Sequence, residues 1–170
     1  MRVRHILPVA VILASFGCGL SDVPSTIRLN TPAFSVGSDI PVSYSCRADN
    51  DSPPFSWDNL PKGTKSTVFI VEDLTTRTTN WIVYDIAPDA TGSPEQGVAK
   101  DGIQGTGDAG KNYYVGPCGK RGEQNRYAFR VIALDRKLGL PAGAKRAQVD
   151  AAMRGHMLAQ GEIQATDNGF

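Results

Sequence analysis

Histidine is nearly missing from this chain: there are two in 170 residues, His5 and His156. Cysteine is scarce too, with Cys18, Cys46 and Cys118 making up the whole complement. Neither sign of charge dominates, at 18 Lys+Arg against 17 Asp+Glu. Each shortage removes a class of function. A Ser-His-Asp or Cys-His device would have to take its base from almost nothing. A zinc site would need three or four ligands, and no group of His, Cys and carboxylates is spaced for one. The balanced charge argues against general nucleic-acid binding and implies no strongly acidic or basic partner. The chain therefore reads as a binding protein and not an enzyme, and no cofactor is implied.

What is present begins with MRVRHILPVAVILASFGC. Arg2 and Arg4 precede an apolar run from Ile6 to Ala14, and small residues lead to Cys18. Residues 1–17 have the pattern of a signal peptide. The apolar run is too short to span a bilayer as a mature helix. Ala14-Ser15-Phe16-Gly17-Cys18 resembles a relaxed bacterial lipobox, in which the cysteine is acylated and becomes the new N-terminus. The alternative is an ordinary secretory signal that ends in cysteine. Without residues 1–17, 16 Lys+Arg face 17 Asp+Glu, and His156 is the one histidine left. Residues 18–25 then form anchor and tether, and 26–170 a single domain with no internal repeat. The expected location is the cell envelope, membrane-anchored through Cys18, or else soluble after secretion or in the periplasm.

Past the tether the chain reads as strands. Thr26–Asn30, Val42–Ser45 and Phe55–Trp57 are short candidates. STVFIVE (66–72), WIVYDI (81–86) and YAFRVIAL (127–134) are strong ones, rich in β-branched and aromatic residues. Gln160–Thr166 alternates as a closing strand, and 87–126 is mostly loop. One helix is expected over Ala144–Leu158, where Val149, Ala152, Met153, His156 and Met157 share a face. On that face His156 reads as a core histidine bonded to a backbone carbonyl, and Gly155 as a site of close packing. The fold class is mainly β, a sandwich with a late helix.

GTGDAGKN at 105–112 is one residue short of a P-loop. A P-loop needs a helix whose free N–H groups face phosphate. Here Gly116 and Pro117 follow within six residues, so no helix can start. Asn112 also lacks the hydroxyl that would hold Mg²⁺. The embedded G-x-G-x-x-G fails for the same reason, and the glycines are expected to serve turns.

Several segments in order resemble the phosphatidylethanolamine-binding protein family, also called Raf kinase inhibitor-like, in its bacterial branch. They are LNTPAFSVGSDIPVSYSC, NDSPPFSWDNLPKGTKS, FIVED, NWIVYDI, YVGPC, NRYAFRVIALDRKLGLPAGA and MRGHMLAQGEI, spanning residues 29–163. The resemblance implies a β-sandwich with small helices, long pocket-lining loops and an anion pocket at one end. Carried over residue by residue, that pocket would use Asp73, Thr75, Asn80, Pro53, Gly116, Pro117, Asn125, Arg126 and Tyr127. The chain departs from the family pattern in four places. D-P-D-A-P becomes Asp73-Leu74-Thr75-Thr76-Arg77, with Thr75 in place of the second aspartate. Asn80 stands before the WIVYDI strand where histidine is expected. Cys118 is followed by Gly119-Lys120 and not by two prolines. Asn125 replaces the second histidine, with one extra residue ahead of it.

Asparagine keeps hydrogen-bonding capacity but cannot become cationic, and a charge-assisted bond is about twice as strong as a neutral one. The resemblance thus implies a small polar or anionic ligand, or a protein partner as with inhibitors of kinases or proteases in the family, at an altered pocket. A scaffold-only relative with no pocket ligand is the alternative. A phosphoester hydrolase using Asp73 and Arg126 is the contrasting enzymatic reading, without an evident nucleophile–base pair. The family also implies a cis proline in Ser52-Pro53-Pro54, and it brings the SYSC and GPC segments to the same pocket end. A Cys46–Cys118 disulfide is then expected in an oxidising compartment, against two buried free thiols.

Overall fold

A computed structural model describes residues 23–89 and 102–169. The expected signal peptide, Cys18 and most of the expected tether therefore lie outside the described residues.

The run STVFIVE has no polar side because neither face of its strand meets water. Strand β3 (Ser66–Asp73) is the centre of a five-stranded antiparallel sheet of order β5-β4-β3-β6-β7. The others are β4 (Thr78–Ile86), β5 (Ile103–Gln104), β6 (Asn125–Leu134) and β7 (Met157–Asp167). Side chains alternate along each strand. Phe69 and Val71 enter one core with Trp81, Val83, Phe129 and Val131. Val68 and Ile70 enter a second core with Ile82, Tyr84, Ile132 and Leu134. The first core is closed by a two-stranded sheet of β1 (Arg28–Asn30) and β2 (Ser56–Asp58), which brings Leu29 and Trp57. The second is closed by α1 (Arg146–Met153) through Val149 and Met153. The mainly β sandwich with a late helix is thus the observed architecture.

Rings dominate the first core. Phe55 lies 4.8 Å from Phe69 and 5.0 Å from Phe129, centroid to centroid. Truncating such a buried ring costs about 3–5 kcal/mol.

Three expectations change. Val42–Ser45 is no strand: Val42–Tyr44 forms a 3₁₀ turn. Tyr44 N–H donates to Pro41 O, and the Ser45 hydroxyl donates to Val42 O. The helix is shorter than its apolar spacing suggested. Gly155 adopts φ +75°, with open space around its Cβ position, so it turns the chain and packs against nothing. Met157 then starts β7. His156 is consequently not a core histidine. It is half-buried in the turn, and its Nδ1–H donates to the Asp135 carboxylate at 2.8 Å.

Candidate functional site

Asp73 ends β3 and faces the start of β6, where its register partner is Tyr127. One carboxylate oxygen accepts from the backbone N–H of Thr75 (2.8 Å) and Thr76 (3.0 Å). This is the local turn that an aspartate makes with the residues two and three ahead. The other oxygen accepts from the Asn125 side-chain amide at 2.9 Å, in a buried bond. The Thr75 hydroxyl accepts from Arg126 N–H at 3.0 Å and ties the turn to β6. Asp73, Asn125 and Tyr127 are all buried. Burial pushes the Tyr127 phenol up to about 12; the bond to Asn125 opposes the shift, and the charges of Asp73 and Asp167 add to it.

Arg126 lies between Asn125 and Tyr127 on β6, so strand alternation sends its side chain to the opposite face, where it is exposed. The Asp73–Arg126 pair of the hydrolase reading is therefore not assembled on one face.

A second set surrounds the GPC turn. The Asn80 amide donates to Val115 O at 3.1 Å, while its Oδ1 is buried with no partner among the described residues. Gly116 N–H donates to Asn50 Oδ1 at 2.8 Å. A Cβ on Gly116 would lie 2.2 Å from Tyr44 O, so only glycine fits. Pro117 O accepts from Cys46 N–H at 3.1 Å. The Cys46–Cys118 disulfide is formed, with Cα atoms 5.5 Å apart across 72 residues. Pro53 is buried, and the described residues contain no cis peptide bond, so the cis proline implied at 52–54 is absent.

Residues not anticipated from the sequence link the two sets. Tyr114 packs edge-on to Trp81 at 5.4 Å and donates its hydroxyl to Tyr44 O at 2.9 Å. Burial pushes its phenol far above the usual tyrosine range, and the neighbouring Tyr127 and Asp167 push the same way. Arg47 pairs with the buried carboxylate of Asp167. YVGPC already contained Tyr114; nothing local marked Arg47 or Asp167.

GTGDAGKN forms no anion cradle. Gly105 N–H donates to Ile82 O, Thr106 N–H to Ala144 O, Gly107 N–H to Lys111 O and Asp108 N–H to Thr79 O. The Asp108 carboxylate accepts from Thr79 N–H at 2.7 Å. A Cβ on Gly105 or Gly107 would come within 2.8 Å of a backbone oxygen. These glycines allow the loop to lie against β4.

Fold and site together define a two-sheet antiparallel β-sandwich with a disulfide-closed, tyrosine-lined end. A phosphatidylethanolamine-binding protein family model matches residues 30–168, and the chain belongs to that family. A UPF0098 protein of Methanothermobacter thermautotrophicus is 39% identical over 145 residues, covering 81% of this chain and 95% of the relative. One from Aquifex aeolicus is 41% identical over 143 residues, covering 77% and 82%. A crystal structure of a phosphatidylethanolamine-binding protein homologue from Chlamydia trachomatis superposes with a TM-score of 0.75 at 34% identity, covering 84% of this chain and 97% of that one. The Escherichia coli protein YbcL, at 23% identity and the same TM-score, shares the fold.

Proposed function

We propose that this protein is an exported, lipid-anchored ligand-binding or inhibitor-type member of the family, whose altered anion pocket holds a charged phosphoryl group only weakly. The observation that carries the reading is the buried bond from Asn125 to Asp73. Where the family resemblance calls for a histidine, a neutral amide is already committed to the chain's own carboxylate. Asn80 stands at the other histidine position with its amide committed to Val115 O. No titrating group is left at either position to strengthen anion binding as pH falls. The role at this end is then uptake of a weakly held neutral or anionic group, or contact with a protein partner, without turnover. The charged leader, apolar run and Cys18 support attachment to the envelope through an acyl chain.

Calorimetry with phosphate, and with sulfate as a ligand of constant charge, tests the pocket reading between pH 5 and 8. Weak, pH-independent sulfate binding is expected. Tight sulfate binding that strengthens below pH about 6.5 would overturn it.

A further inference from the structure

A cavity of about 330 Å³ opens at the β4–β5 edge of the first core, between loops 50–52 and 112–114. None of the pocket residues implied by the family resemblance lines it. We propose that this cavity binds a neutral polyhydroxylated ring, a saccharide unit.

Its floor is rigid. Trp81 is 2% exposed, and its indole N–H donates to Gln104 Oε1 at 2.7 Å. Tyr114 is 5% exposed and fixed edge-on against that indole. The Asn50 amide joins the two rim loops, donating to Tyr114 O at 2.9 Å and accepting from Gly116 N–H at 2.8 Å. The site is therefore largely pre-formed, which spares a ligand the ordering cost of binding.

The rim differs from the floor. Asp51, Ser52, Asn112 and Tyr113 line the cavity, and none of their side chains has a hydrogen-bond partner among the described residues. Tyr113 is 52% exposed, one of three exposed large hydrophobic residues among the described residues. The rim thus offers a carboxylate, an aliphatic hydroxyl, a carboxamide and a phenol around an open aromatic face.

These groups select among ligands. Asp51 is the one charged residue in the lining, so the cavity disfavours an anion. A quaternary ammonium needs several open ring faces. Trp81 and Tyr114 are too buried to provide them, leaving Tyr113 alone. A sugar ring fits what is present. Adjacent hydroxyls donate to the Asp51 carboxylate, and others both donate to and accept from Asn112 and Ser52. The C–H face of the ring packs on Tyr113, an amphipathic side chain with low ordering cost. The volume sits at the lower end of the roughly 300–1,000 Å³ typical of small-ligand sites, suited to a single sugar unit.

The inference does not depend on the reading of the Asp73 end, and its test is separable. Glucose, galactose and N-acetylglucosamine are titrated into the mature protein by ligand-observed NMR, with choline and sulfate as comparators. At least one sugar should saturate. Tyr113→Ala and Asp51→Asn should each weaken that binding about tenfold, the cost of a lost charge-assisted bond or ring contact, while leaving Tm unchanged. Lys65→Ala, at an exposed position away from the cavity, serves as the unaffected control. Saturation by none of the three sugars, binding insensitive to both rim variants, or choline binding in place of sugar would each overturn the proposal.

Discussion

Arg47 and Asp167 are 120 residues apart in sequence and meet as a two-pronged ion pair at the end of the sandwich. The Asp167 side chain is 1% exposed and that of Arg47 22%. Arg47 also donates to Gly119 O at 3.1 Å, and Gly119 N–H donates to Asp167 at 3.1 Å. The pair therefore locks the end of β7 to the residue that follows the disulfide. The two partners are not equivalent. Without Arg47, a buried carboxylate loses its counter-ion. Without Asp167, a half-buried guanidinium can turn to water. Arg47→Ala should cost about 3 kcal/mol and Asp167→Ala measurably less, by urea denaturation. Equal costs, or the reverse order, would show that the Gly119 N–H left without its acceptor outweighs the carboxylate left without its counter-ion.

The disulfide acts on the same region. It closes a span of 72 residues, which in the chain-entropy model stabilises by about 4 kcal/mol. The mature protein should show no thiol reactive to alkylation, and reduction should lower Tm by several degrees. Alkylation of both cysteines in native, unreduced protein would contradict this. GTGDAGKN should remain ordered after reduction, because Thr79, Ile82 and Ala144 hold it through the backbone. Hydrogen exchange at Gly105 to Asp108 would detect the difference.

Alkaline pH should destabilise the fold through Tyr127. Its folded pKa is raised to about 12, above the unfolded value near 10. The folded state then keeps a proton that the unfolded state gives up. The contribution is fully present below pH about 10 and is lost as pH rises through about 12. Tyr127→Phe should show a shallower decline over that window. Phenolate absorbance and circular dichroism followed together would check it. An unchanged slope in the variant would remove Tyr127 as a cause.

Much of the fold was legible because the strongest strands announce themselves. STVFIVE and YAFRVIAL are buried on both faces, so their apolar runs are nearly unbroken. The helix was overextended because Met153, His156 and Met157 keep helical spacing, while the positive φ of Gly155 ends the helix before that spacing does. Val42–Ser45 looked extended, yet Pro41 and Ser45 satisfy its backbone locally as a 3₁₀ turn. The family resemblance placed Asp73 and Asn125 at one end. Their direct bond depends on the β3–β6 register, which no local pattern encodes. Arg47 and Asp167 are isolated charges in sequence, and the cavity exists only once Asn50 joins two distant loops.

Cys18 lies outside the described residues, so its role rests on the leader alone. If it is acylated, Cys18→Ser should move the protein from the membrane fraction to the soluble fraction. Gly19 gives no aspartate-type retention signal, so in a double-membraned cell the wild-type protein should fractionate with the outer membrane. An unchanged distribution in the variant would refute the anchor while leaving export intact.

The substituted histidines can be put back. In Asn80→His/Asn125→His, the imidazole at 125 would stand where an amide now donates to Asp73 at 2.9 Å. The carboxylate should favour the imidazolium and raise its pKa above the ordinary value near 6.5. The stability gained from that pair is then fully present below pH about 6.5 and is lost as pH rises through the raised folded value. Sulfate binding should follow the same sign, near the wild-type level at pH 8 and about tenfold tighter at pH 5, because a charge-assisted bond replaces a neutral one. Sulfate keeps its charge over this range, so any pH dependence belongs to the protein. Calorimetry on the double variant and the wild type decides the matter. A flat profile in the folded double variant would mean that the loss of anion affinity lies elsewhere, in Thr75 or in the Gly119-Lys120 replacement of the two prolines.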